Sequence, residues 1–137
     1  MRYQIYTDGG SRGNPGDAAI GGVVYGLKKE IVFEFSKYIG VATNNEAEYT
    51  AVLTALEWAL QHTTGVEAID FNLDSKLVVE QMNKKWKIKE PRMLVLAQKC
   101  WDLIKELGIE VTFSHVMREK NKEADLLVNQ ALDAHQQ

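Results

Sequence analysis

Residues 43–73, TNNEAEYTAVLTALEWALQHTTGVEAIDFNL, contain the elements that decide the fold. Thr43 followed three residues later by Glu46 is typical of a capping box, which predicts a helix from Thr43 to about His62. Residues 66–73 carry apolar side chains at alternate positions, which predicts a strand with one buried face. A helix that leads into such a strand predicts a right-handed crossover to an earlier, parallel strand.

Further elements lie on both sides of this stretch. Runs rich in β-forming residues occupy 2–7, 18–26 and 31–39, and the short turns between them predict an antiparallel meander whose first strand stops at Asp8. The later elements are a helix over 75–84, a helix from Pro91 to Gly108, a strand through 109–113 and a helix from about Asn121. The order βββαβααβα predicts an α/β fold: a mixed five-stranded sheet in which strands 1-2-3 are antiparallel, strands 4 and 5 are parallel, and helices pack on the sheet.

The composition is that of one ordinary globular domain spanning residues 1–137, with 45% hydrophobic and 26% charged residues. The single cysteine, Cys100, excludes an internal disulfide and a cysteine-based zinc site. Apolar runs of signal-peptide or membrane-span length are absent from the sequence, so we expect a cytoplasmic protein with no membrane partner. Nothing in the sequence implies a protein partner, and a monomer is expected.

The overall charge argues at first against a nucleic-acid partner. The chain carries 16 Lys and Arg against 19 Asp and Glu, a net charge of −3. Proteins that bind phosphate backbones are usually basic.

One acidic residue occupies an unexpected place. At 100° per residue, Glu48 falls near the centre of the apolar face of the helix from Thr43, and no Lys or Arg shares that face. A buried carboxylate costs several kcal/mol unless it is paired or bound to a cation. Glu48 therefore predicts either a distant ion pair or a metal site.

Three further aspartates are ambiguous when taken singly. Asp8 begins an Asp-Gly turn pattern, Asp74 precedes Ser75 where a helix cap is expected, and Asp125 borders the apolar face of the last helix. Asp8 and Asp74 nevertheless follow adjacent parallel strands, at the sheet edge where ligands gather. Three or four converging carboxylates repel one another. The positive charge of Mg²⁺ offsets that repulsion, and carboxylate oxygens are the ligands that Mg²⁺ prefers.

The sequence resembles type 1 ribonuclease H over nearly its whole length. The resemblance rests on four motifs in order: TDGGSRGNPG at 7–16, TNNEAEY at 43–49, LDS at 73–75 and NKEAD at 121–125. It implies the ribonuclease H-like fold and a metal-dependent hydrolase that cleaves the RNA strand of an RNA–DNA hybrid, leaving 5′-phosphate and 3′-hydroxyl ends. It also implies that two Mg²⁺ ions, or Mn²⁺, are held by four catalytic acids, which are Asp8, Glu48, Asp74 and Asp125.

The resemblance implies a substrate-binding surface as well. Because the sequence ends within a dozen residues of Asp125, no separate hybrid-binding domain is expected. Gly9, Gly10 and Ser11 would allow backbone to approach the RNA strand, whose 2′-hydroxyls distinguish it from DNA. The other candidates for contacts with the hybrid are Asn14, Thr43, Asn44, Asn45 and Ser75. Several of these also suit helix caps or turns, and the two roles can coexist.

Two segments depart from the commoner family pattern. A long basic protrusion is reduced here to NKKWKIKEPR at 83–92, in which Lys85 and Trp86 are candidates for backbone contact, although Trp86 could equally anchor the loop to the core. His115 has the family spacing for an auxiliary histidine, but its strand parity matches inward residues, which favours a structural role. An archaeal-like pattern at the C-terminal motif makes Arg118 the rival auxiliary residue.

Two other functions remain open at this point. The same fold could act on double-stranded RNA or on RNA–DNA junctions, or the domain could be a hybrid-binding module without turnover. If four of the 19 acids form a metal site, the rest of the surface is close to neutral, so the net charge no longer excludes a nucleic acid. Modest, salt-sensitive binding is then expected.

Overall fold

The computed structural model describes residues 1–136 and contains one five-stranded sheet, ordered β3-β2-β1-β4-β5. The strands are β1 (Arg2–Gly13), β2 (Gly16–Tyr25), β3 (Ile31–Ala42), β4 (Ala68–Leu73) and β5 (Glu110–His115). β1, β2 and β3 pair antiparallel, whereas β4 pairs parallel with both β1 and β5. The predicted mixed sheet, with its meander and two parallel strands, is confirmed.

Within the described residues, four α-helices connect or follow these strands: α1 (Asn44–Ala59), α2 (Lys76–Met82), α3 (Pro91–Leu107) and α4 (Lys122–His135). The capping box predicted at the start of α1 is present, because Thr43 Oγ1 accepts from the Glu46 backbone and the Glu46 carboxylate accepts from the Thr43 backbone. Gly108 ends α3 in the left-handed conformation, at φ 66°.

The helices divide unequally between the two faces of the sheet. α1, α2 and α3 share one large core cluster with β1, β4 and β5, and Phe71 and Leu56 are fully buried in it. α4 packs on the opposite face, where Val128 and Leu132 contact Ala19. Cys100 is buried in the large cluster, and burial raises the pKa of its thiol to about 12, which fits an unreactive side chain.

The prediction that the first strand stops at Asp8 is wrong, because β1 continues to Gly13. Its parallel pairing with β4 does end at Thr7, opposite Leu73, but its antiparallel pairing with β2 continues through Gly9 and Gly10. Glycines that resemble a turn are therefore part of a strand here. The last strand also lies one to two residues later than predicted, at Glu110–His115.

Within residues 1–136, the helices are too short or too polar to cross a membrane.

Candidate active site

Two aspartates lie at the carboxyl edge of the parallel strands. Asp8 is the first residue of β1 beyond its parallel pairing with β4, and it lies opposite Gly21 of β2. Asp74 follows Leu73, the last residue of β4, and Ser75 begins the next helix by accepting a hydrogen bond from Val78. The topology thus places two carboxylates side by side at the edge predicted for a ligand.

Glu48 reaches the same place from α1. Residue 9 of β1 lies directly under this helix: a methyl group on Gly9 would overlap the backbone carbonyl of Ala47 and stand 2.6 Å from the Glu48 nitrogen. The close approach brings the Glu48 side chain, which is only 7% exposed, to Asp8. The Oε2 atom of Glu48 is buried without a hydrogen-bond partner in the described chain.

The three carboxylates form a compact cluster without a protein cation. Ligand oxygens of Asp8, Glu48 and Asp74 lie within 4.8 Å of one another. None of the salt bridges among residues 1–136 involves these acids. Of the two explanations for the buried Glu48, the distant ion pair therefore receives no support from residues 1–136. The donor set and the unpartnered Glu48 oxygen fit a hard divalent cation.

Burial and mutual repulsion disfavour ionisation of these groups. Burial, followed by the charges of Asp74 and Asp125, raises the pKa of Asp8 to about 7. Burial and the neighbouring Asp8 raise the pKa of Glu48 well above its ordinary value, although the Gly9 backbone N–H opposes the shift. Strongly perturbed acids that converge in a cleft are typical of a functional site.

Asp125 approaches the cluster from the other face of the sheet. It is exposed, and it is near enough to Asp8 to contribute to the raised pKa of that residue. Gly21 makes this approach feasible, since a Cβ there would stand 2.5 Å from the Ala124 carbonyl oxygen of α4. Asp125 is therefore placed at the rim of the cluster and the other three acids at its centre.

A buried asparagine, Asn121, which the sequence indicates as the start of the last helix and of the NKEAD motif, contacts this cluster. Asn121 is 1% exposed, and its side-chain Nδ2 donates to the Thr7 carbonyl at 2.9 Å and to the Asp74 carboxylate at 3.1 Å. The signal that could have found it is its place four residues before Asp125 in the NKEAD motif.

Most of the predicted substrate-binding residues line one cleft of about 390 Å³ beside the acids. The lining includes Gly9, Gly10, Ser11, Asn44, Asn45 and Ser75. Asn44 ties this wall together, because its Oδ1 accepts from the Ser11 backbone at 2.9 Å and its backbone N–H donates to Asn14 Oδ1 at 3.0 Å. Asn14 and Thr43 adjoin the cleft through Asn44 and α1 without lining it.

The basic segment at 83–92 lies outside that cleft. Lys85 is exposed and Trp86 is 44% exposed, so the interpretation of Trp86 as a core anchor is wrong. Trp101 of α3 fills that role instead, because its Nε1 donates to the Met82 carbonyl at 3.2 Å and its ring lies 4.8 Å from the Lys84 ammonium. Trp86 is consequently free to contact a ligand.

The two candidates for an auxiliary role differ in position. Arg118 belongs to the lining of the acidic cleft. His115 is exposed, which corrects the expectation of an inward structural histidine. It shares the parity of Phe113, but it is the last residue of β5, beyond the part of the strand that the core cluster covers.

The sequence of this chain is similar to those of known proteins. Residues 6–131 match the family described as "Reverse transcriptase-like". The bifunctional protein Rv2228c of Mycobacterium tuberculosis is 42% identical over 135 residues, which are 98% of this chain and 36% of that protein. The chain thus spans about a third of the length of this relative.

Two solved structures are similar over almost their whole length. RNase H1 of the halophilic archaeon Halobacterium salinarum has a TM-score of 0.90 at 39% identity, covering 98% of this chain and 99% of that one. LC11-RNase H1 in complex with an RNA/DNA hybrid has a TM-score of 0.93 at 40% identity, with coverage of 98% and 99%. The chain belongs to the type 1 ribonuclease H family.

Proposed function

We propose that this domain is a divalent-cation-dependent endoribonuclease that hydrolyses the RNA strand of RNA–DNA hybrids. The observation that carries the proposal is the set of carboxylates from Asp8, Glu48 and Asp74, within 4.8 Å of one another. They form no salt bridge within residues 1–136 and open into a cleft. The hybrid as substrate is supported by the likeness to the hybrid-bound LC11-RNase H1.

The acids are suited to hold two Mg²⁺ ions, with Mn²⁺ as an alternative. Asp8 and Asp74 would hold one ion, Asp8 and Glu48 would hold the other, and Asp125 would complete the set from α4. A pair of such ions supplies an activated water and a counter-charge for the leaving oxygen of a phosphodiester. Bound cations would also offset the repulsion at this site and favour the ionised forms of Asp8 and Glu48, whose pKa values are raised without them.

Hydrolysis of the RNA strand requires a water that adds to phosphorus while the P–O3′ bond breaks. The proposed products are a 5′-phosphate and a 3′-hydroxyl, the latter formed as the departing oxygen gains a proton. Arg118 lines the acidic cleft and is the better placed of the two auxiliary candidates to stabilise charge on the phosphate. His115 is exposed outside that lining.

The cleft-lining residues Gly9, Gly10, Ser11, Asn44, Asn45 and Ser75 are proposed to contact the hybrid. Asn14 and Thr43, which adjoin the cleft, are proposed to contact it as well. Ser11 and Asn44 line the cleft, and the Ser11 hydroxyl donates to Asn44 Oδ1 at 3.2 Å. Hydroxyl and amide groups of this kind can recognise 2′-hydroxyls of the RNA strand. Farther along the duplex, Lys85 offers a positive charge to the phosphates, and the exposed ring of Trp86 offers an apolar surface for contact with the strand.

Strand-specific cleavage tests the substrate assignment. A hybrid, a duplex RNA, a duplex DNA and an RNA–DNA junction of one sequence, each labelled on one strand, are incubated with the protein in Mg²⁺, and the product ends are mapped. Cleavage of the RNA strand within the hybrid, with 5′-phosphate ends, is expected. If only duplex RNA or only the junction is cleaved, that molecule is the substrate and the hybrid is not. Hybrid binding without any cleavage would indicate a non-catalytic module.

A further inference from the structure

Asn121 occupies a helix cap without serving as one. It is the N-cap residue of α4, a position where asparagine side chains normally accept a hydrogen bond from the first turn. Here the side chain makes no such bond, and its backbone lies at φ −120° and ψ 27°. The amide is instead turned inward and is almost fully buried, at 1% exposure.

The contacts of Asn121 reach three of the elements that carry acids. Its Nδ2 donates to the carbonyl of Thr7, the residue before Asp8, at 2.9 Å, and to Oδ2 of Asp74 at 3.1 Å. Its carbonyl accepts from the Asp125 backbone N–H at 3.1 Å. One side chain and its own peptide group therefore connect β1, the end of β4 and α4 at the point where they meet.

The orientation of the amide is set by its donor. Nδ2 has two oxygen acceptors, whereas Oδ1 is buried without a hydrogen-bond partner in the described chain. The reverse orientation would place Oδ1 against the same two oxygens, an arrangement that is repulsive. The arrangement therefore fixes a donor toward Asp74, and a carboxylate so held has one oxygen occupied and its orientation restricted.

We propose that Asn121 is a positioning residue of the acidic cluster, which holds the Asp74 carboxylate in the orientation that receives a divalent cation. The inference rests on the proposed function, since it assigns the cation to the same acids. A residue that only stabilised the fold would not need a contact with the carboxylate itself. Partners of this kind alter metal affinity or activity by roughly 10- to 100-fold when they are removed.

The test measures Mg²⁺ binding to the free protein by calorimetry, together with thermal unfolding. The variants are Asn121→Ala and the smaller perturbation Asn121→Ser, and Thr112→Val is the matched control. Thr112 also donates to an aspartate on β4, with its Oγ1 2.7 Å from Asp70, but it does not line the acidic cleft. We expect a loss of Mg²⁺ affinity of about 10- to 100-fold in the Asn121 variants and none in Thr112→Val.

A second readout is the Mg²⁺ concentration for half-maximal hybrid cleavage, which should rise by a similar factor. Mg²⁺ affinity that stays within about twofold of the wild type in a folded Asn121 variant would overturn the positioning role. Loss of the fold in both Asn121 variants would assign the residue to stability alone and would also overturn it. Wild-type protein that bound no Mg²⁺ and cleaved no hybrid would instead contradict the proposed function itself.

Discussion

Gly9 of β1 lies against the backbone of Ala47 in α1, so closely that no side chain fits between the strand and the helix. Glu48 is the next residue of α1, and Asp8 is the residue before Gly9. The approach therefore places carboxylate oxygens of Glu48 and Asp8 within 4.8 Å of each other. The packing of a strand glycine against a helix backbone thus determines whether two of the catalytic candidates meet.

Replacement of Gly9 by alanine tests that packing. The added methyl would overlap backbone atoms that cannot rotate away, so Gly9→Ala should lower the free energy of unfolding by roughly 2–3 kcal/mol, as expected for overpacking. Gly10→Ala is the control, because its methyl would meet only side-chain atoms, at 3.9 Å. Urea unfolding should show little change for Gly10→Ala, and equal stabilities for the two variants would contradict the packing argument.

Removal of one acid should make the metal-free protein more stable. Asp8 is buried beside Glu48 and Asp74, so Asp8→Asn removes a source of repulsion and should raise the free energy of unfolding at pH 8 by on the order of 1–3 kcal/mol. Differential scanning calorimetry in EDTA checks this, with the exposed Asp102→Asn as the control. Mg²⁺ should raise the Tm of the wild type and fail to raise that of Asp8→Asn. A lower metal-free Tm for Asp8→Asn would contradict the account.

The acid stability of the domain should depend on a residue outside the cleft. Asp70 accepts hydrogen bonds from Arg2, Thr112 and Gln4, and chiefly the Arg2 bond lowers its pKa to about 2. A lowered pKa means that this stabilisation is complete above about pH 4 and is lost as the pH falls toward 2. Asp70→Asn should therefore be less stable than the wild type in urea unfolding at pH 7. The difference should shrink between pH 4 and pH 2, and a constant difference would refute this explanation.

The auxiliary role is tested by comparing two alanine variants. Arg118→Ala should reduce kcat on a hybrid by at least about tenfold, because Arg118 is a cationic residue that lines the acidic cleft. His115→Ala should change kcat by less than about threefold, since His115 is exposed outside that lining. Multiple-turnover cleavage at saturating hybrid measures kcat for both variants, and the reverse order of effects would return the role to His115.

Short-range sequence patterns predicted many of the helices and strands. The Thr43–Glu46 capping box, Pro91 at the start of α3 and Gly108 at its end each act within one helical turn, and the structure shows all three. Glu48 could be singled out because helical periodicity alone places it on the buried face, and the structure confirms its burial.

The errors arose where tertiary contacts override local patterns. Gly9 and Gly10 resemble a turn, but pairing with β2 and packing under α1 make them strand residues. Strand parity gives the side on which His115 lies, whereas its exposure depends on how far the core extends along β5. Asn121 matches a helix cap in sequence, and only the meeting of three elements shows its inward contacts.

The proposed function requires that the clustered carboxylates hold a divalent cation on which cleavage of the RNA–DNA hybrid depends. The most direct measurement is cleavage of a labelled hybrid by the wild type in Mg²⁺ and in EDTA, beside Asp74→Asn and the exposed-site control Asp102→Asn in Mg²⁺. We expect RNA-strand cleavage by the wild type and by Asp102→Asn in Mg²⁺, and none in EDTA or by a folded Asp74→Asn. Undiminished cleavage in EDTA or by Asp74→Asn would contradict it.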